Sequence, residues 1–141
     1  MVDIEMLKSH MYDVVGALHT VHKEMGAGLN ENCYQEALVV EFGERGIKFT
    51  REQAFHPIYK GHELPVTYRT DFICKNDIVV ECKAVSSLNA QLRAQLFNYM
   101  RLLNMPCGII VSFHPKYAEI ERYFYDMEGK EIITVNGIVM K

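Results

Sequence analysis

The sequence predicts a single mixed α/β domain, of the kind in which helices and strands segregate along the chain (α+β). Three observations lead there. Apolar residues recur at helical spacing near the N-terminus and again after residue 87, whereas residues 47 to 84 are strand-favouring runs punctuated by turn residues. The order therefore reads α, α, β, β, β, α, β and then a β-rich end. Finally, 141 residues with 49% hydrophobic content suffice for one core without staples, and no linker, repeat or low-complexity tract divides the chain.

Taken in order, Met11, Val14, Leu18, Val21 and Met25 form an apolar stripe, and Gly26 and Gly28 end the segment, so the first helix spans about 5 to 25. Asn30 is a natural N-cap for a second helix carrying Tyr34, Ala37, Leu38 and Phe42, which closes between Gly43 and Gly46. Residues 47 to 58 favour extended structure, "YKGHEL" reads as a tight turn, and residues 66 to 84 read as a hairpin. Ser87 is the expected cap of a third helix reaching about 103, with Leu88, Leu92, Leu96, Tyr99 and Leu103 on one side. "CGIIVSF" has the continuous apolar character of a buried strand, and Asn136-Gly137 signals a two-residue hairpin turn in the tail.

Composition narrows the function classes. Fifteen basic and eighteen acidic residues give a formal charge of −3, so the overall balance announces no nucleic-acid or membrane-surface partner, although a local basic patch remains compatible with it. No apolar run reaches bilayer length. Cys33, Cys74, Cys82 and Cys107 lie far apart, without zinc-ligand spacing and each in an apolar stretch. With no secretory leader pattern, they are expected to be reduced core residues of a cytoplasmic protein.

The hairpin carries the chemistry. If Lys75 to Asp77 form its loop, Asp71 falls opposite Glu81, with Cβ atoms about 4.5–5.5 Å apart. Two carboxylates that close repel unless a cation lies between them or one is protonated. Lys83, two residues after Glu81, shares its face. An Asp/Glu pair suits a hard cation such as Mg²⁺ or Mn²⁺, and an adjacent lysine could hold or deprotonate a water or neutralise phosphoryl charge. Such a short pattern also recurs by chance, as exposed edge charges with the lysine paired to one of them.

Two helices add to it. Tyr34, Gln35, Leu38 and Phe42 fall within about 60° of Glu31 on a helical wheel, which puts that acid inside the apolar stripe; Glu36 points to the solvent side. Glu31 either awaits a cation or donor or simply favours the helix dipole from the first turn. Gln91, Gln95 and Tyr99 line up at i, i+4, i+8, and of the two amides Gln95 is the better placed for the site. His19 and His22 are three apart on the first helix but lack an acidic third ligand, and read as surface or packing residues.

Together these residues resemble the PD-(D/E)XK nuclease superfamily, and within it the small GxxExxY family. That motif stands as Gly28-Leu29-Asn30-Glu31-Asn32-Cys33-Tyr34, followed in order by "YRTDF", "VVECKAV" and "AQLFNYMRLLNMPCGIIVSF", over about residues 10 to 125. The resemblance implies a restriction-endonuclease-like core within a single domain over 1–141: a mixed central sheet flanked by helices, here with a C-terminal β extension over 121–141. It implies Asp71, Glu81 and Glu31 as metal ligands for Mg²⁺ or Mn²⁺, Lys83 as the catalytic lysine, and Gln95 as a support from a "QLFNY" element whose Tyr99 approaches DNA. Thr70 replaces the proline of the superfamily pattern, at a position that does no chemistry. Arg69 and Arg93, with Arg101 and the more distant Lys48 and Arg51, are the candidate phosphate contacts. The implied function is metal-dependent hydrolysis of nucleic acid, DNA foremost. The alternatives are a catalytically silent nucleic-acid- or protein-binding module, and self-association through the edge of the terminal hairpin.

Overall fold

Side-chain caps fix the two helices that open the chain. In the computed structural model, which describes residues 2–140, α1 (Ile4–Met25) starts where the Asp3 carboxylate accepts from the Met6 amide. The second helix, α2 (Glu31–Glu44), starts where Asn30 Oδ1 accepts from the Cys33 amide at 2.9 Å. Between them the Tyr34 hydroxyl donates to the Gly26 carbonyl at 2.6 Å and accepts from the Leu29 amide at 3.1 Å. One side chain of α2 thus pins the link that carries Glu31. The expected α1 stripe is buried from Met11 to Val21, but Met25, the last residue before the Gly26 cap, is 40% exposed.

The strands are β1 (Phe49–Phe55), β2 (Ile58–Tyr59), β3 (His62–Glu63), β4 (Tyr68–Cys74), β5 (Ile78–Lys83), β6 (Cys107–Ser112), β7 (Glu119–Asp126), β8 (Glu131–Thr134) and β9 (Val139–Met140). Seven form one sheet in the order β1-β4-β5-β6-β7-β8-β9; β2 and β3 form a separate short hairpin between β1 and β4. Among the described residues only the β5–β6 pair is parallel, and α3 (Ala90–Leu103) bridges it, as a parallel crossover requires. The mixed sheet flanked by helices is the predicted α+β architecture.

Strand alternation sorts the core into two layers. Phe72, Val80, Cys82, Ile109 and Val111 face α1 and α2, while Val79, Ile110 and Tyr123 pack with Leu96, Phe97 and Met100 of α3. At Gly108 an added Cβ would collide with the Met100 sulfur and crowd a Leu96 methyl of α3, so a larger residue here requires those side chains to move.

Two turn expectations are corrected. Ser87 does not cap α3; Asn89 does, its Oδ1 accepting from the Leu92 amide at 2.9 Å. Leu88 is buried ahead of the helix and its amide donates to Glu119, which holds residues 87 and 88 outside the helical turn. The Asn136-Gly137 turn is not a two-residue one. Ile133 pairs with Val139 and the Thr134 amide donates to the Ile138 carbonyl, leaving a three-residue loop, Val135 to Gly137, with left-handed backbone at Gly137 alone (φ 81°).

One irregularity matters for the site. Phe49 and Phe55 are six residues apart on β1 and by strict alternation share a face, yet Phe49 packs on Phe42 and Phe72 whereas Phe55 packs on Tyr99 of α3. Glu52 between them is left-handed (φ 53°), and the β1–β4 register omits its pairing with Asp71. The left-handed residue turns the strand over at the level of the acidic residues.

Candidate active site

The β4–β5 hairpin has the anticipated loop, with left-handed Lys75 and Asn76, and the anticipated register of Phe72 with Val80. One step further the ladder stops: Asp71 and Glu81 do not form a regular strand pair, which corrects the simple picture of opposed side chains. Their carboxylates have replaced the backbone bonds. Asp71 Oδ2 accepts from the Cys82 amide at 2.8 Å, and Glu81 Oε2 accepts from the Asp71 amide at 3.4 Å. Each acid reaches across to the other's strand, so the strands part and both carboxylates sit in the gap.

Glu81 is 2% exposed and its Oε1 has no hydrogen-bond partner among the described residues. Burial first, then the Asp71 charge, pushes its pKa well above the ordinary carboxylate range, with Lys83 opposing. An unpartnered carboxylate oxygen in this setting is costly for the apo protein. Lys83 Nζ donates to Gln95 Oε1 at 2.9 Å, and Gln95 Nε2 donates to the Tyr99 hydroxyl at 3.3 Å. Gln95 and Tyr99, one turn apart on α3, therefore form a rail that fixes the lysine head.

Glu31 arrives from the first turn of α2. Its pKa is raised, chiefly by burial and then by Asp71, while Lys83 and a hydrogen bond from Gln35 lower it. Its Oε1 is turned toward Gln35 Nε2 at 3.4 Å, and Gln35 is in turn held by Arg51. Among the described residues no three His, Cys, Asp or Glu side chains gather closely enough to cage an ion. Glu31 is within electrostatic reach of Asp71 and Lys83, and its side chain bonds Gln35 of its own helix.

The donor set still fits a hard divalent cation. It consists of carboxylate oxygens, one of them buried and unpartnered, and Mg²⁺ or Mn²⁺ is commonly held by one or two carboxylates with water completing the shell. Asp71 acts electrostatically on both Glu31 and Glu81 here, with Lys83 opposing, an imbalance a dication would correct.

The remaining candidates divide. Tyr99 is buried at the end of the rail and packs on Phe55 and Tyr68. Arg69 is exposed and, among the described residues, has no acidic partner. Arg93 is committed elsewhere: its guanidinium forms two bonds to Glu121, at 2.6 and 3.0 Å, away from the acidic pair. His22 bonds the Pro115 carbonyl and stacks on Phe113, a packing role. All four cysteines are free thiols; burial pushes Cys74 and Cys107 up to about 12.

The sequence offers Gln35 only as a member of the α2 stripe, and Tyr34 as a member of that stripe and as the last residue of the Gly28–Tyr34 motif. Gln35 lies at i+4 from Glu31, and that spacing is the sequence signal for its role as support. Nothing local marks the Tyr34 hydroxyl, whose partners lie outside its helix.

A family model described as the PD-(D/E)XK nuclease superfamily matches residues 8–123. Among solved structures, that of SSO0001 aligns with a TM-score of 0.50 and 22% identity, over 65% of this chain and 48% of its own. The chain thus spans about half the length of that neighbour, and the likeness is one of fold. No curated protein matches.

Proposed function

The chain belongs to the PD-(D/E)XK nuclease superfamily, and on that premise we propose that it is a divalent-metal-dependent nuclease that hydrolyses phosphodiester bonds, with DNA as its foremost substrate. Within the superfamily we place it in the GxxExxY family. Gly28 takes the left-handed backbone (φ 85°) that leads into the Asn30 cap, Glu31 faces the acidic pair, and Tyr34 ties down the link between them.

One observation carries the proposal: the buried Glu81 oxygen without a partner, beside a second carboxylate and under a lysine. Asp71 and Glu81 would hold Mg²⁺ or Mn²⁺ between the parted strands. When bound, such an ion lowers the pKa of water in its shell and offsets charge growing on the phosphoryl oxygens. The chain's own residues do the rest. Lys83, kept in place by Gln95, presents its ammonium to the attacking water or to a non-bridging phosphate oxygen, where positive charge stabilises the transition state. Glu31 accepts from a water at the rim, which orients that water without requiring direct ligation. Arg69 supplies phosphate contact from outside the gap.

No helix of the described chain is long and apolar enough to cross a membrane. The free thiols suit a reducing compartment, which supports a cytoplasmic location. The test is a cleavage assay on labelled single-stranded and duplex DNA and RNA with Mg²⁺ or Mn²⁺, with Lys83→Ala as the inactive control and metal binding of Asp71→Ala measured in parallel. Cleavage that disappears in Lys83→Ala is expected. A well-folded wild type that cuts no substrate with either metal would turn the reading toward a binding module.

A further inference from the structure

We propose that the groove beside the acidic site binds an unpaired nucleotide, so that the ligand of this protein is single-stranded nucleic acid with one base stacked on Tyr68. This deepens the nuclease reading and rests on it for the position of the strand, but not for the binding itself.

The groove, about 530 Å³, lies between the start of β4 and the solvent side of α3 and is lined by Tyr68, Gln91, Gln95, Asn98, Tyr99 and Arg101 together with Ala94 and Leu102. Three features define its chemistry. The first is an aromatic platform: Tyr68 is 40% exposed, yet its ring is braced by Phe55 and Tyr99 at centroid distances of 5.8 and 5.9 Å. A ring supported from within and open to the groove offers the flat apolar surface on which a base stacks.

The second is the polar lining. The amides of Gln91 and Asn98 carry both donors and acceptors, as needed to pair with an exposed base edge, and neither has a side-chain hydrogen bond among the described residues. The third is charge. Among the described residues no acidic side chain lines the groove, and Arg101 within it has no ion-pair partner. A free guanidinium in an acid-free groove complements a polyanion.

The groove opens directly onto the site, because Gln95 belongs to both: it holds Lys83 Nζ and lines the groove wall. A strand whose base lies on Tyr68 would therefore run its backbone toward Lys83. In a paired duplex the base faces are covered by stacking and the edges by pairing, so this lining rewards a nucleotide that is already unpaired.

The experiment uses the full chain without divalent metal, so that binding is read apart from cleavage, and follows anisotropy of labelled oligothymidylate, oligouridylate and a blunt DNA duplex of equal length. Tighter binding of one or both single strands than of the duplex is expected, and the two single-strand arms tell DNA from RNA. Tyr68→Ala is expected to weaken single-strand binding by about 5- to 100-fold, the loss typical of one stacked base, with the duplex unaffected and Tyr68→Phe like wild type. Asn98→Asp, at an exposed helix position, places a carboxylate in the groove without touching the core and is expected to weaken single-strand binding as well. The inference is overturned if the duplex binds as tightly as the single strands, if nothing binds, or if both groove variants behave as wild type. Failure of the nuclease reading looks different: single strands bind through Tyr68, but no metal supports cleavage.

Discussion

Glu81 and Glu121 occupy one row of the sheet. Glu81 pairs with Ile110 on β6, and Ile110 pairs with Glu121 on β7, so the two acids face the same side, about 9.5 Å apart at the usual strand spacing. Their surroundings are opposite. Glu121 accepts two bonds from Arg93 and one from the Tyr123 hydroxyl at 2.6 Å, and these, the arginine first, hold its carboxyl below the usual range. Glu81 has a like-charged neighbour, an unpartnered oxygen and a pKa pushed up by burial. The fold can satisfy a carboxylate in this row, and does so at Glu121. Leaving Glu81 unsatisfied marks it as a group kept for something outside the chain.

Exchanging each acid for its neutral isostere breaks the comparison most sharply. Glu81→Gln is expected to lower the cleavage rate by about 10²–10³-fold, the scale of losing one electrostatic stabiliser of the transition state. Glu121→Gln is expected to leave the rate of the folded protein unchanged. Equal losses in the two variants, measured on one substrate with saturating Mg²⁺, would remove the distinction.

Metal addition sharpens it next. A cation that binds only the folded protein stabilises it by about 2.7 kcal/mol at a hundred times its Kd. Thermal melts with and without Mg²⁺ or Mn²⁺ are expected to show that gain in wild type and in Glu121→Gln, and no gain in Asp71→Ala.

Without metal, the two isosteres are expected to shift stability in opposite directions. A carboxyl whose folded pKa is raised costs stability as pH rises from its unfolded value through its folded one, and costs nothing below. Glu81 is of that kind, so Glu81→Gln should be more stable than wild type at pH 7, with the gain fading as pH falls toward 4.5. Glu121 is the reverse case: its lowered pKa contributes stability above the unfolded value, lost as pH falls through the folded one. Glu121→Gln should therefore be less stable at pH 7, by about 1.5–3 kcal/mol for charge-assisted bonds. Urea midpoints from pH 4 to 7 check both signs.

How far the sequence reveals this pair depends on whether the partners are local. Asp71, Glu81 and Lys83 could be gathered by counting along a hairpin, and Glu31 by its place on the wheel of a helix whose Asn30 cap is in the text. The partner of Arg93 lies 28 residues away on β7, so no local spacing announces that ion pair. The parting of the strands at Asp71 was hidden because side chain-to-backbone bonds ended the ladder where alternation alone would continue it. Left-handed Glu52 was hidden too, since nothing about a glutamate announces that conformation. Ser87 and Asn89 are both competent caps, and the choice between them was made by Glu119, which takes the Leu88 amide.

The smallest expected effect concerns the arm that brings Glu31 up to the pair. Tyr34 is fully buried and stacks on Phe113 at 4.5 Å, and its hydroxyl bridges the Gly26 carbonyl and the Leu29 amide. Tyr34→Phe keeps the ring and its stacking but deletes both hydrogen bonds, a cost of about 1 kcal/mol. If the hydroxyl serves only packing, that loss should appear in the melting curve while the cleavage rate at saturating metal stays at the wild-type value. If it sets the height of Glu31 above the acidic pair, the rate should fall as well, and Tyr34→Phe should then lower it no further when added to Glu31→Gln. We expect the second pattern, because the bridge ties together the residues that connect the end of α1 to the turn bearing Glu31, and a double-mutant cycle on cleavage reads it directly.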